Sequence, residues 1–157
     1  MENRIRYVKG DATEPHGSDN RIIVHICNDI GAWGAGFVLA LSRKWKEPEE
    51  EYRRWFREEG KLVQGKIQLV RLEPNLFVAN LIGQEGISFK GSVPPIRYAS
   101  VEKGLNEVAN EAERLNASIH MPRIGCGLAG GKWDEIERII NKTLIIKGIS
   151  VTVYDLE

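Results

Sequence analysis

Apolar positions recur along the chain with two different periods. Runs rich in β-branched and aromatic residues predict strands at 5–10 (IRYVKG), 21–27 (RIIVHIC), 65–72 (GKIQLVRL), 76–83 (LFVANLIG), 118–122 (SIHMP) and 149–156 (ISVTVYDL). Several are apolar at nearly every position, the pattern of strands covered on both faces. Elsewhere the period lengthens. Tyr98, Val101, Leu105, Val108, Ala112 and Leu115 keep three- and four-residue spacing, as do Trp133, Ile136, Ile140 and Leu144, so both stretches read as amphipathic helices. Residues 36–45 are apolar almost all round, which predicts a buried helix. The segment PEEEYRRWFREEG opens on Pro48, sets acidic residues beside the positive end of the helix dipole and closes at Gly60. The order ββααββαβαβ predicts an α/β fold: a three-layer α/β/α sandwich with a mixed, mostly parallel sheet of about six strands. No repeat or linker interrupts it, so 1–157 is expected to be a single domain.

In such sheets ligands sit outside the carboxyl ends of the strands, which singles out three loops. KGDAT (9–13) places Asp11 after a strand, either as a turn residue or as a carboxylate that accepts from the exocyclic amine of a base. NDIGAWGAGF (28–37) offers the amide side chain of Asn28 to a hydroxyl, and the backbone amides of Gly34, Ala35 and Gly36 to an anion at a helix N-terminus. MPRIGCGLAGGKW (121–133) repeats the plan, with Gly125, Cys126 and Gly127 between a strand and a helix. Two such turns in one short domain could wrap the two phosphates of a pyrophosphate from opposite sides. Neither has the Lys-Ser/Thr ending of a P-loop or the spacing of a dinucleotide-binding turn.

Composition changes this picture little but narrows it. Lys plus Arg and Asp plus Glu are each 22, so no excess charge draws in nucleic acid non-specifically. No run approaches the length of a membrane span, and the N-terminus has no apolar leader, so a cytoplasmic protein without membrane association is expected. The two cysteines, Cys27 and Cys126, have no clustered histidines beside them, and neither a metal site nor a cofactor is expected.

The combination of YVKGDAT, VHICNDIGAWGAGFVLAL, MPRIGCGLAGGKWDEIERII and terminal VTVYDL resembles the macrodomain, an ADP-ribose-binding module, over essentially the whole chain. The likeness is strongest to the branch with the yeast-type ADP-ribose-1″-phosphate phosphatase and the terminal ADP-ribose protein glycohydrolase. The resemblance implies that Asp11 and the Ala12 amide meet adenine and that Asn28 lies near the distal ribose. It implies one phosphate loop of Gly34, Ala35, Gly36 and Phe37, and another of Gly125, Cys126, Gly127 and Leu128. Tyr154 either lies near adenine or packs in the core. The partner so implied is ADP-ribose or an ADP-ribosylated substrate.

The chemistry is where the chain departs from these relatives. The glycohydrolase-like pattern has an aspartate directly after GCGL, where this chain has Ala129. Its nucleophilic lysine has a counterpart in Lys90, but the surrounding residues align poorly, and Lys90 reads as a solvated surface lysine rather than the nucleophile. The phosphatase-like pattern fits better and offers His25 as a general base or a core histidine, and Asp29 as a second base or a loop cap. Cys126, a thiol at a helix N-terminus, has no arranged base and reads as a small loop residue. Two classes of function follow: a hydrolase of ADP-ribose derivatives, favoured by a chain that reads as one free-standing domain, or a reader without catalysis.

Overall fold

The computed structural model describes residues 4–156. Its strands are β1 (Arg6–Lys9), β2 (Arg21–Asn28), β3 (Ile67–Glu73), β4 (Leu76–Gln84), β5 (Ser118–Met121) and β6 (Val151–Asp155); its helices are α1 (Phe37–Lys44), α2 (Glu47–Glu59), α3 (Tyr98–Leu115) and α4 (Trp133–Thr143). One sheet holds all six strands in the order β1-β6-β5-β2-β4-β3. Every pairing is parallel except β3 with β4, which the short turn between them forces to run antiparallel. The five parallel strands therefore end along the same edge, and β2 sits in the middle of it.

Alternation along β2 separates the two cores. Ile22 and Val24 face the layer of α3 and α4, where they pack with Leu105, Val108, Ile136 and Ile140. Ile23 and Cys27 face the layer of α1 and α2, with Leu41, Tyr52 and Trp33. The same period in β4 sends Ala79 and Leu81 to the first layer and Val78 and Ile82 to the second. The expected sandwich is thus realised, with helices on both faces of a mixed sheet.

One expectation fails. α1 is not buried all round: only Val38 and Leu41 are buried, while Leu39 is 42% exposed and Arg43 and Lys44 face solvent. This helix belongs to an outer layer, and among the described residues no further element covers its far side.

Candidate functional site

The carboxyl ends of β2, β4 and β5 open into one cleft with two lobes. The inner lobe, about 200 Å³, is lined by His25, Phe37, Arg123, Gly125, Gly127 and Ala129 among others. The outer lobe, about 690 Å³, is lined by Asn28, Gly34, Ile87, Ser88 and Phe89 among others. Ile26, Ala35, Val38, Gln84 and Leu128 belong to both, so the lobes are continuous and the two glycine-rich turns face each other across them.

The first turn is aimed by side chains beneath it. Asn28 Oδ1 accepts from the amides of Ile30 and Ala32, both at 3.0 Å, and from the Tyr52 hydroxyl at 2.8 Å, while its Nδ2 donates to Ala32 O at 2.8 Å. The oxygen expected to serve a ligand is therefore spent inside the turn. Only the second N–H of Nδ2 is left for the outer lobe. Beyond Gly36, where α1 starts, the first turn of helix leaves its leading amides without intrahelical acceptors; the earliest bond is Leu39 N to Gly36 O at 3.1 Å. The amides of Gly34, Ala35, Gly36 and Phe37 accordingly lie at the positive end of a helix dipole and border the cleft.

The second turn closes on itself. Gly131 N donates to Gly125 O at 2.7 Å and Gly130 N to Gly127 O at 3.0 Å, and α4 begins only at Trp133. The amides of Gly127, Leu128 and Ala129 stand outside this internal bonding among the described residues. Cys126 is half-buried, its Sγ 3.4 Å from Ile124 O. Burial raises its thiol pKa above the ordinary range, Arg123 opposing. Ala129 is buried, and its carbonyl accepts from Ile96 N at 3.1 Å.

His25 lies on the floor of the inner lobe, 2% exposed, with Nε2 2.5 Å from Asn80 Oδ1 and its ring against Trp33 and Phe37. Burial lowers its pKa to about 4, against the partial support of Asn80, so the imidazole is neutral at pH 7. That is the environment of a core histidine. Asp29 has a side chain 1% exposed: Oδ1 accepts from Gly86 N at 2.8 Å, and Oδ2 accepts from Gln64 Nε2 at 3.1 Å with Lys61 Nζ at 3.9 Å. It neither caps the adjacent turn nor presents a free oxygen to the cleft. Lys90 is exposed, 3.4 Å from Glu85 Oε1, and lies in a neighbouring depression rather than in either lobe.

At the far end of the edge, Asp11 Oδ1 accepts from Thr13 N at 2.8 Å and Thr13 Oγ1 at 2.7 Å, so it does build a turn and leaves its other oxygen over. Partial burial pushes its carboxyl up, and the two Thr13 bonds with Lys44 and Arg43 outweigh that and hold it below the usual range. Ala12 is buried beside it, and neither residue lines the cleft lobes. Tyr154 is 3% exposed, accepts from His16 N at 2.8 Å and lies 2.8 Å from His120 Nδ1, which places it under the Asp11 loop as a core residue.

Sequence reasoning missed the third wall. Gln84 closes β4, the parallel neighbour of β2, and Ile87, Ser88 and Phe89 follow it. Arg123 was missed as well: it pairs with Asp155 at 2.8 Å and stacks between Tyr7 and Trp133, 5.1 and 5.0 Å from their rings. Among the described residues no group of three or more His, Cys, Asp or Glu side chains is placed to hold a metal. No described helix is long and apolar enough to cross a membrane.

Fold and cleft together define an α/β/α domain whose ligand cleft is walled by two glycine-rich turns at the carboxyl ends of its central strands. A macrodomain protein from Streptomyces coelicolor is 47% identical, covering 97% of this chain and 99% of that one, with a TM-score of 0.86. The chain belongs to the macrodomain family. A Bacteroides thetaiotaomicron protein of unknown function is nearer still at 57% identity, 98% and 99% coverage and a TM-score of 0.96. Among relatives of stated activity, the chromodomain-helicase-DNA-binding protein 1-like of Danio rerio is 32% identical over 96% of this chain, which spans only 15% of that protein's length. The ADP-ribose 1″-phosphate phosphatase of Candida albicans is 24% identical over 88% of this chain and 92% of its own, and an ADP-ribose glycohydrolase of Bos taurus 25% over 98% and 93%. No family model matches the chain.

Proposed function

We propose that this chain, acting as one macrodomain unit in the cytoplasm, binds ADP-ribose and hydrolyses an ADP-ribose derivative. The observation that carries the binding is the pair of turns facing one cleft, which offers amides 34–37 to one phosphate and amides 127–129 to the other without a cation. The distal ribose then falls in the outer lobe by Asn28, Ser88 and Phe89, and adenine runs toward the free oxygen of Asp11. The hydrolase assignment leans on the phosphatase and glycohydrolase relatives, which match most of the chain. The linkage cut, whether a 1″-phosphate, an acyl ester or an adduct on a macromolecule, is the finer question.

A second reading has a specific observation behind it. The carboxylate of Asp29 is fully engaged, His25 is neutral and bonded to Asn80, and Ala129 supplies no acid, so the cleft's polar groups suit a reader that holds ADP-ribose without cutting it. Side-by-side turnover of ADP-ribose-1″-phosphate, O-acetyl-ADP-ribose and ADP-ribosylated protein separates the readings, with calorimetry of free ADP-ribose in chelator as the control. Binding with turnover of any one substrate supports the hydrolase. Binding with no turnover gives the reader, and no binding defeats both.

A further inference from the structure

We propose that Asp29 is a positioning residue, a buried latch that sets the width of the outer lobe by holding the segment after β4 against the end of β2. A carboxylate removed from water costs several kcal/mol unless donors replace its hydration, so its partners report its purpose. Those partners come from two distant parts of the chain: Gly86 N, 57 residues away, and Gln64 Nε2, 35 residues away. Leu62 N also donates to the Asp29 carbonyl at 2.9 Å, and Gln64 Nε2 reaches Gln84 O at 2.9 Å. Three segments thus meet on one side chain: the end of β2, the connection into β3 and the exit of β4.

What the latch holds is the wall of the lobe. Directly after Gly86 come Ile87, Ser88 and Phe89, which line it. Phe89 in turn reaches the second glycine-rich turn, where a Cβ on Gly130 would come within 2.7 Å of its ring. The other ties of this segment are the bonds of Glu85 N to Pro95 O, Lys90 N to Val93 O and Gln84 Nε2 to Gly86 O, each 2.9 Å, and the ion pairs of Glu85 with exposed Lys90 at 3.4 Å and half-buried Arg97 at 3.5 Å; Asp29 adds the tie back to the end of β2. The adjacent Asn28 fixes the opposite wall through Ile30 and Ala32. Neighbouring side chains at 28 and 29 therefore set both sides of one lobe. A carboxylate suits position 29 because both its oxygens must accept; an amide would turn an N–H toward a donor.

This inference rests on the ADP-ribose reading only for its ligand. Calorimetry compares ADP, which lacks the distal ribose, with ADP-ribose on the wild type, Asp29→Ala, Asp29→Asn and Gln64→Ala. Hydrogen exchange follows the Gly86 amide in each. Losing charge-assisted bonds should weaken ADP-ribose by about tenfold or more in Asp29→Ala, with ADP unchanged within about twofold and Gly86 losing its protection. Asp29→Asn keeps one acceptor and should fall between, and Gln64→Ala, at a half-buried site, should shift the same way by less. Equal losses for the two ligands, or Gly86 still protected in Asp29→Ala, overturn the latch. If Asp29→Ala does not fold, Gln64→Ala decides by the same split. If the wild type binds neither ligand the functional reading fails, and Gly86 exchange alone then supports or overturns the latch.

Discussion

In the turn at 31–36, a Cβ added to Gly34 or Gly36 meets nothing within 4 Å. In the turn at 125–131, a Cβ on Gly131 would stand 2.4 Å from the Gly125 carbonyl oxygen, and one on Gly125 would stand 2.7 Å from Ile96 Cδ1. Two stretches that look alike as sequence thus need glycine for different reasons. The tip of the first turn is bare on the side that faces the cleft, so its glycines keep space for whatever approaches the amides. In the second turn Gly125, Gly130 and Gly131 are spent on packing, against Ile96, against Phe89 and Pro94, and against the turn's own backbone, while Gly127 is open; in the first only Gly31, against Phe56, is packed so tightly. The first is shaped instead from below, by Asn28 and Tyr52.

The largest effect expected concerns what the two turns share. Each is fed by a strand carrying a buried neutral histidine, His25 in β2 and His120 in β5, and each pKa is lowered to about 4, by burial first. A histidine whose folded pKa lies below its unfolded value near 6.5 takes its proton more readily unfolded. Stability is then whole above about pH 6.5 and is lost as pH falls toward about 4. Moving from pH 7.5 to pH 5 should cost about 2 kcal/mol from each histidine, read as a fall in urea midpoint. Replacing either one should remove about half of that fall, and an unchanged fall would show that the replaced side does not share it.

The glycine difference is next in size. Gly131→Ala forces backbone apart and should cost about 3 kcal/mol, the upper end of overpacking, read in the urea midpoint. Gly34→Ala has open space and an ordinary φ, so its stability should change by no more than about 0.5 kcal/mol while ADP-ribose affinity falls. The reverse ranking would break the contrast between the turns. Between these lies Asp11→Ala, which should weaken ADP-ribose by about 1.5–3 kcal/mol in calorimetry, the worth of a bond to a charged group, and leave the fold intact. Lys90→Ala, outside both lobes, should alter binding least, and a large loss there would place the site elsewhere.

The order of all ten elements, the mixed sheet and both turns were legible in the sequence because periodicity and glycine spacing are local properties. What lay beyond it was which partner each polar side chain would meet. Asn28 looked available until Tyr52, 24 residues on, and the amides of its own turn took its oxygen. Asp29 looked like a base until Gly86 and Gln64 closed on it. α1 looked buried because its residues are apolar, and composition says nothing of how many layers stand above a helix. Tyr154 and His25 kept two readings for the same reason: both are buried, Tyr154 under the Asp11 loop and His25 on the floor of the inner lobe.

The central claim is that two differently built turns hold one ligand together through backbone amides. The most direct measurement is the amide spectrum of ¹⁵N-labelled protein titrated with ADP-ribose in chelator. The account predicts that resonances of residues 34–37 and 127–129 shift in the same titration with one common affinity. Shifts confined to one turn, or seen only when a divalent cation is added, would contradict it.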